Sequence, residues 1–212
     1  DKGSFIQKVI GADQENFYAL RTVGINGLEE GQIFLQKYEM ITKEKESENQ
    51  LVLPMVKGNE AYFVDMFYID KKLILFTEVY DNTKQRRYLY MQYMKEDGTI
   101  KNKPIQAGSL PLSNKPEDGF TVQYCKKQGL FLVVYNSSFE SYAGEPFTVK
   151  LIDTNLSETW SKDLAFPLSE QKFFVQDYLL GESGNIYFVI SSDVKTKRGR
   201  TELISKESII LV

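Results

Sequence analysis

Leu73-Ile74-Leu75-Phe76-Thr77 decides the fold, because the same short apolar strand occurs three more times: Phe17-Tyr18-Ala19-Leu20-Arg21, Leu130-Phe131-Leu132-Val133-Val134 and Ile186-Tyr187-Phe188-Val189-Ile190. Their first residues lie 56, 57 and 56 positions apart. Spacing that regular marks a repeat architecture, in which one unit cannot bury its own hydrophobic face and must stack on the next. Leu73 and Leu75 alternate with Ile74 and Phe76, so the strand has no polar face and needs a cover on both sides.

Each copy is preceded by another strand and a short turn. The preceding strands are predicted at residues 5–10, 63–69, 120–125 and 174–180, and the turns carry Gly11-Ala12-Asp13, Asp70-Lys71-Lys72, Lys126-Lys127-Gln128-Gly129 and Gly181-Glu182-Ser183-Gly184. Their length and composition are those of hairpins. After each copy a polar loop (22–30, 81–86, 137–145, 193–200) leads into a third strand at 32–40, 87–94, 147–152 and 201–205. This third strand alternates between polar and apolar residues, as in Phe147-Thr148-Val149-Lys150-Leu151, so it lies further from the centre of the array. A fourth strand is expected at 51–56, 104–110 and 163–168, where Pro54, Pro104, Pro111 and Pro167 mark it as a sheet edge that needs no full ladder of N–H donors. Residues 41–49 hold the charge cluster Lys43, Glu44, Lys45, Glu46 and Glu48 without an apolar stripe, and read as an extended hairpin loop.

Each repeat is therefore a four-stranded antiparallel meander, and meanders stacked face to face around an axis are the blades of a β-propeller. The expected fold is all-β: a propeller-like array of about four blades over residues 4–57, 61–112, 119–169 and 172–212, forming one domain across 1–212. Four repeats of this length need about 224 residues, and the chain stops in the apolar run Ser208-Ile209-Ile210-Leu211-Val212. A partial ring or a fragment is expected from this, with a closed four-bladed ring as runner-up. An open ring would leave apolar faces on its first and last blades for something to cover.

Composition narrows the function classes. The chain has 26 basic and 29 acidic residues interspersed, a formal charge of -3 and a pI near 5.3, which offers no electrostatic footprint for nucleic acid. No apolar run reaches the length of a membrane-spanning helix, and Asp1-Lys2-Gly3-Ser4 lacks the layout of a signal peptide, so any export signal would already have been removed. The 212 residues include no histidine, which takes away the commonest general base and metal ligand, and one cysteine, Cys125, which cannot form an internal disulfide. Neither a metal nor a cofactor is expected.

The pattern resembles the long-bladed β-propellers of bacterial cell-envelope and secreted proteins, and that resemblance implies an extracytoplasmic location. Tryptophan-aspartate dipeptides and the double glycine of kelch repeats are absent. Asp153-Thr154-Asn155-Leu156-Ser157-Glu158-Thr159-Trp160 looks like a degenerate Asp-box hairpin of sialidase-type propellers, with Thr159 and Trp160 matching and with Asn155 and Ser157 replacing the aspartate and the glycine. Asp-boxes are structural, so the match supports a hairpin and not a chemistry.

Arg21 breaks the apolar strand at a position where the other copies have Thr77, Val134 and Ile190. A buried guanidinium needs a partner. It either pairs with an acidic residue of a neighbouring blade, Asp65 or Asp177, or binds an anion in the central channel; pairing is the favoured reading. Asp65 and Asp177 sit on the innermost strands, with Asp13 in the turn after one of them, and could form an acid/base pair, bind a cation or simply line a wet channel. Tyr80, Tyr88, Tyr90 and Tyr93 are candidates for a carbohydrate platform but fit a core better. Tyr142 in its loop, and Lys197, Arg198 and Arg200 in a basic hairpin, are candidates for surface contact. Cys125 reads as a small buried thiol.

The leading sequence reading is a non-enzymatic protein-binding or scaffold module of an extracytoplasmic propeller, joined by a protein partner or by the remainder of a larger propeller. The alternative is a glycosidase- or lyase-like propeller enzyme acting on carbohydrate, which would need converging carboxylates. Arg21, Asp65 and Asp177 converging unpartnered on a pocket would favour the second reading, and partners for them would count against it.

Overall fold

Apolar alternation and short turns make almost every described segment a strand. The computed structural model describes residues 4–24, 31–112, 119–136, 147–164, 173–192, 194–195, 201–202 and 208–211, and it divides into two units, Asp1–Leu112 and Ser113–Val212. Among the described residues there is no helix.

The first unit holds two antiparallel sheets. One is the meander β1 (Ser4–Ala12), β2 (Asn16–Val23), β3 (Gln32–Glu39) and β4 (Lys45–Gln50), in that order. The other runs β5 (Met55–Val56), β6 (Asn59–Ile69), β7 (Lys72–Asp81), β8 (Arg86–Met94) and β9 (Ile105–Pro111). Tyr18, Leu20, Ile33 and Leu35 of the first sheet meet Met66, Leu73, Leu75 and Met94 of the second in one apolar layer. Side chains buried as fully as Leu20 and Leu75 contribute roughly 1.5–3 kcal/mol each relative to exposure.

The second unit repeats the plan. β10 (Gly119–Cys125), β11 (Leu130–Asn136), β12 (Phe147–Asp153) and β13 (Glu158–Leu164) form a four-stranded meander. β14 (Phe173–Leu180) and β15 (Ile186–Ser192) open the next sheet, and β16 (Val194–Lys195), β17 (Thr201–Glu202) and β18 (Ser208–Leu211) follow. Leu132, Val134, Phe147 and Val149 pack on Tyr178, Leu180, Ile186 and Phe188. The repeated apolar strand is β2, β7, β11 or β15, each paired with the strand before it, and the sheets of each unit pack through it. The fold is thus all-β and propeller-like, as the repeat predicts.

Several boundaries differ from the sequence reading. The fourth strand of the first repeat is β4, inside the charge cluster read as a loop, whereas 51–54 carry no strand and Met55–Val56 pairs with β6 of the next sheet. An edge strand needs backbone pairing and no apolar stripe, so charge was no obstacle. In the third repeat the fourth strand is Glu158–Leu164, starting ahead of the expected 163, and residues 165–168 of that expectation lie outside the described residues. It begins directly after the Asp-box-like turn, where Asp153 Oδ1 accepts from the amides of Asn155 and Ser157, both at 2.9 Å. Among the described residues of the last repeat, Thr201–Glu202 pairs with β16, and Ser208–Leu211 pairs with β15. The terminal apolar run is therefore the third strand of its sheet.

Candidate functional site

Bulges on β1, β6 and β14 set the faces taken by Lys8, Asp65 and Asp177. A strand with unbroken register would put Asp65 opposite Leu75 and Asp177 opposite Phe188, both fully buried. One extra residue between Phe63 and Asp65, and one between Val175 and Asp177, shift the register so that the aspartates stand opposite Phe76 and Val189 instead. Because strand side chains alternate with a period of two, a single inserted residue turns a carboxylate from one face to the other. β1 has the same shift between Ile6 and Lys8, which puts Lys8 opposite Leu20. β10 has none, and the corresponding residue there is the apolar Val122 opposite Val133. Charge and bulge thus occur together.

In the first unit the bulges bring Lys8 to Asp65. The ammonium donates to both carboxylate oxygens, at 2.6 and 2.7 Å, and lies 4.6 Å from the centroid of the Phe67 ring. Asp65 Oδ1 also accepts from the Met66 amide at 2.7 Å. Burial raises the Asp65 carboxyl above its ordinary value, against the opposing pull of Lys8. Gly11 lets β1 approach closely enough for the pair to form, since a Cβ there would stand 2.1 Å from the Tyr68 carbonyl oxygen. In the second unit Asp177 is exposed, and its Oδ1 accepts from the Tyr178 amide at 2.8 Å.

Arg21 has its partner in its own sheet. Nε and Nη2 contact the two Glu48 oxygens at 3.1 and 2.9 Å, Nη1 donates to Ser4 Oγ at 2.5 Å, and the guanidinium stacks 4.5 Å from the Phe34 centroid. Glu48 also accepts from Gln36 and from Lys45. Burial would raise this carboxyl, but Gln36, Lys45 and Arg21 together hold it below its ordinary value. The partner expected from sequence was Asp65 or Asp177. Glu48 lay hidden in the charge cluster, and only recognising that cluster as a strand would have found it.

A second polar constellation joins the two sheets of the first unit. Tyr68 donates to Asp13 Oδ2 at 2.5 Å and Tyr18 to Glu96 Oε1 at 2.8 Å, with the two rings 4.1 Å apart. Asp13 also caps its own turn by accepting from the amides of Glu15 and Asn16. The Tyr68 hydrogen bond and these amides hold Asp13 down to about 2, while burial pushes Tyr68 up to about 12. With Asp13 ionised and Tyr68 neutral near pH 7, the constellation acts as a clasp between sheets.

Of the remaining candidates, Tyr90 is buried and Tyr80, Tyr88 and Tyr93 are half-buried, more core than platform. Cys125 is a half-buried free thiol on a cleft of about 650 Å³ that also involves Tyr124, Leu179 and Lys127. Tyr142, Lys197, Arg198 and Arg200 lie outside the described residues. Among the described residues no group of His, Cys, Asp and Glu side chains could hold a metal ion.

No protein-family model matches the chain, and neither does any curated protein. Among solved structures the chain is similar to the alpha-L-arabinofuranosidase from Lactobacillus brevis, at 16% identity and a TM-score of 0.43 over 92% of this chain and 68% of that one. It is also similar to the xyloglucan PUL GH43B of Bacteroides ovatus, at 11% and 0.39 over 95% of this chain and 38% of the other. A third likeness is to a thermostable family-43 glycoside hydrolase, at 12% and 0.38 over 89% and 72%.

Proposed function

We propose that the chain is a carbohydrate-directed propeller module in which Asp65 is the proton-transfer group. The observation that carries this reading is the contrast between two ion pairs. Glu48, paired with Arg21, has its proton affinity lowered, as a structural ion pair should. Asp65 has its proton affinity raised although an ammonium stands 2.6 Å away. The partners of Arg21 and Asp65, Glu48 and Lys8, count against an unpartnered catalytic pocket; the reading rests instead on a carboxyl that a bulge re-aims and that burial keeps protonatable in spite of its partner, as general acid/base work on a glycosidic bond or a sugar ring proton requires. A second reading, the protein-binding scaffold, is favoured by a different observation: Ile6 and Val9 on β1 are 51% and 58% exposed.

One experiment separates the two. The chain and its Asp65→Asn variant are incubated with a panel of aryl glycosides, an α-L-arabinofuranoside among them, and with polysaccharides scored for cleavage. The expected result is turnover by the wild type that falls by about 10²–10⁴-fold in the variant. Turnover unaffected by Asp65→Asn overturns the role of Asp65. An inert wild type that self-associates in light scattering, in a manner abolished by Ile6→Ser and Val9→Ser, replaces the enzyme reading with the scaffold one.

A further inference from the structure

The charged residues that follow the bulges occupy one place in the repeat. Lys8 stands opposite Leu20, Asp65 opposite Phe76 and Asp177 opposite Val189, and each of these neighbours is the fourth residue of its copy of the apolar strand. The third repeat has no bulge, and Val122 takes the same place opposite Val133. In the first unit the two places hold opposite charges, and Lys8 meets Asp65 across 57 positions of sequence. In the second unit they hold Val122 and Asp177, so no ion pair can form between them.

Lys8 is committed to its contact. The ammonium donates to both oxygens of Asp65, and among the described residues it lies within ion-pair distance of no other carboxylate. The bulge between Ile6 and Lys8 turns the side chain to this face, as the bulge before Asp65 turns its partner. Of the two side chains the lysine is the wetter, 37% exposed against 18% for the aspartate. Lys8 is the charged group that acts on Asp65, and the Met66 amide is its other polar contact. Asp177 keeps the equivalent amide contact, from Tyr178, but among the described residues no cation lies within ion-pair distance of it. The lysine is therefore what the first unit adds to a bulged aspartate.

We propose that Lys8 is the positioning residue of Asp65, holding both carboxylate oxygens so that the carboxyl exchanges its proton only as this contact allows. The catalytic use of that proton rests on the function proposed above, whereas the coupling of the two residues does not. A cation 2.6 Å from a buried carboxyl favours its ionised form, and burial favours the neutral one. Without the lysine, burial acts unopposed and the carboxyl holds its proton to higher pH. With it, the group is able both to give up a proton and to take one.

The test follows the side-chain carboxyl carbons of Asp65 and Glu48 by NMR through a pH titration of the full chain and of its Lys8→Met and Lys8→Arg variants. Lys8→Met should raise the Asp65 midpoint by about one pH unit and leave that of Glu48, whose partner is Arg21, where it was. Lys8→Arg should keep Asp65 near its wild-type midpoint. On any aryl glycoside that the chain cleaves, the limb of the pH–rate profile that Asp65→Asn removes should move with the NMR midpoint in Lys8→Met. An Asp65 midpoint that stays put in a folded Lys8→Met chain, or that moves as far in Lys8→Arg, overturns the role of Lys8. An equal movement at Glu48 also overturns it, because a general change of the fold would then be responsible. An inert wild type whose Asp65 midpoint responds to Lys8 overturns the function proposed above and leaves the coupling standing. An active chain whose midpoint ignores Lys8 does the reverse.

Discussion

Two arginine–glutamate pairs lie on sheet faces of the same unit, and they are not equivalent. Arg87 of β8 meets Glu78 of β7 with Nη2 at 3.0 Å from Oε2, and their side chains are 8% and 10% exposed. Ile74, Phe76, Leu89 and Met91 share that face and are buried. Arg21 and Glu48 make a comparable two-point contact, but their side chains are 17% and 25% exposed, on a face shared with the exposed Ile6 and Val9. Geometry is therefore nearly constant between the two pairs while solvation changes. In a dry setting the surviving half of a broken pair is a buried charge, whereas in a wet one water and neighbouring side chains replace the lost partner.

The comparison can be broken most directly at Arg87. Arg87→Leu should cost about 3–5 kcal/mol in urea unfolding, because it strands Glu78 among apolar side chains. Adding Glu78→Leu should restore most of that loss. A single-variant cost under about 1 kcal/mol would mean that the pair is wetter than its burial implies. Arg21→Leu should cost only about 1 kcal/mol, since Glu48 keeps Gln36 and Lys45, and the loss should shrink in high salt. An Arg21 variant as damaging as the Arg87 variant would erase the distinction.

The smallest effect is in the acid limb of the stability curve. The folded-state proton affinity of Glu48 is below the ordinary 4.5, so its pair adds stability at higher pH that is lost as the pH falls from about 4.5 through the folded value. Arg21→Leu should flatten that limb. Asp65 has the opposite sign: its raised affinity makes its contribution decline as the pH rises from 3.8 towards the folded value, and Asp65→Asn should remove that decline. Parallel slopes in the two variants, measured by urea midpoints across the acid range, would contradict the opposite shifts.

Much of the scaffold was legible in the chain. The four apolar strands mark an interior strand of each sheet, and the hairpin before each of them was readable from turn composition. The fourth strands were less so, because an edge strand is defined by backbone pairing with its neighbour, and Lys45–Gln50 looks like a solvated loop until β3 lies beside it. The bulges were invisible for the same reason. An extra residue in a strand can be recognised only against a partner's register, so the sequence placed Asp65 and Asp177 on inner strands without revealing which face each takes. Lys8 and Glu48, the ion-pair partners of Asp65 and Arg21, are unremarkable lysine and glutamate residues in the sequence, 57 and 27 positions away from them.

Periodicity by itself determined the all-β repeat and the identity of the buried strands, because side-chain alternation and turn chemistry are local and repeat with the chain. Tertiary structure alone decided which charges meet and which pair is dry. Those outcomes depend on desolvation and on contacts between residues far apart in sequence, and neither is encoded in any short stretch.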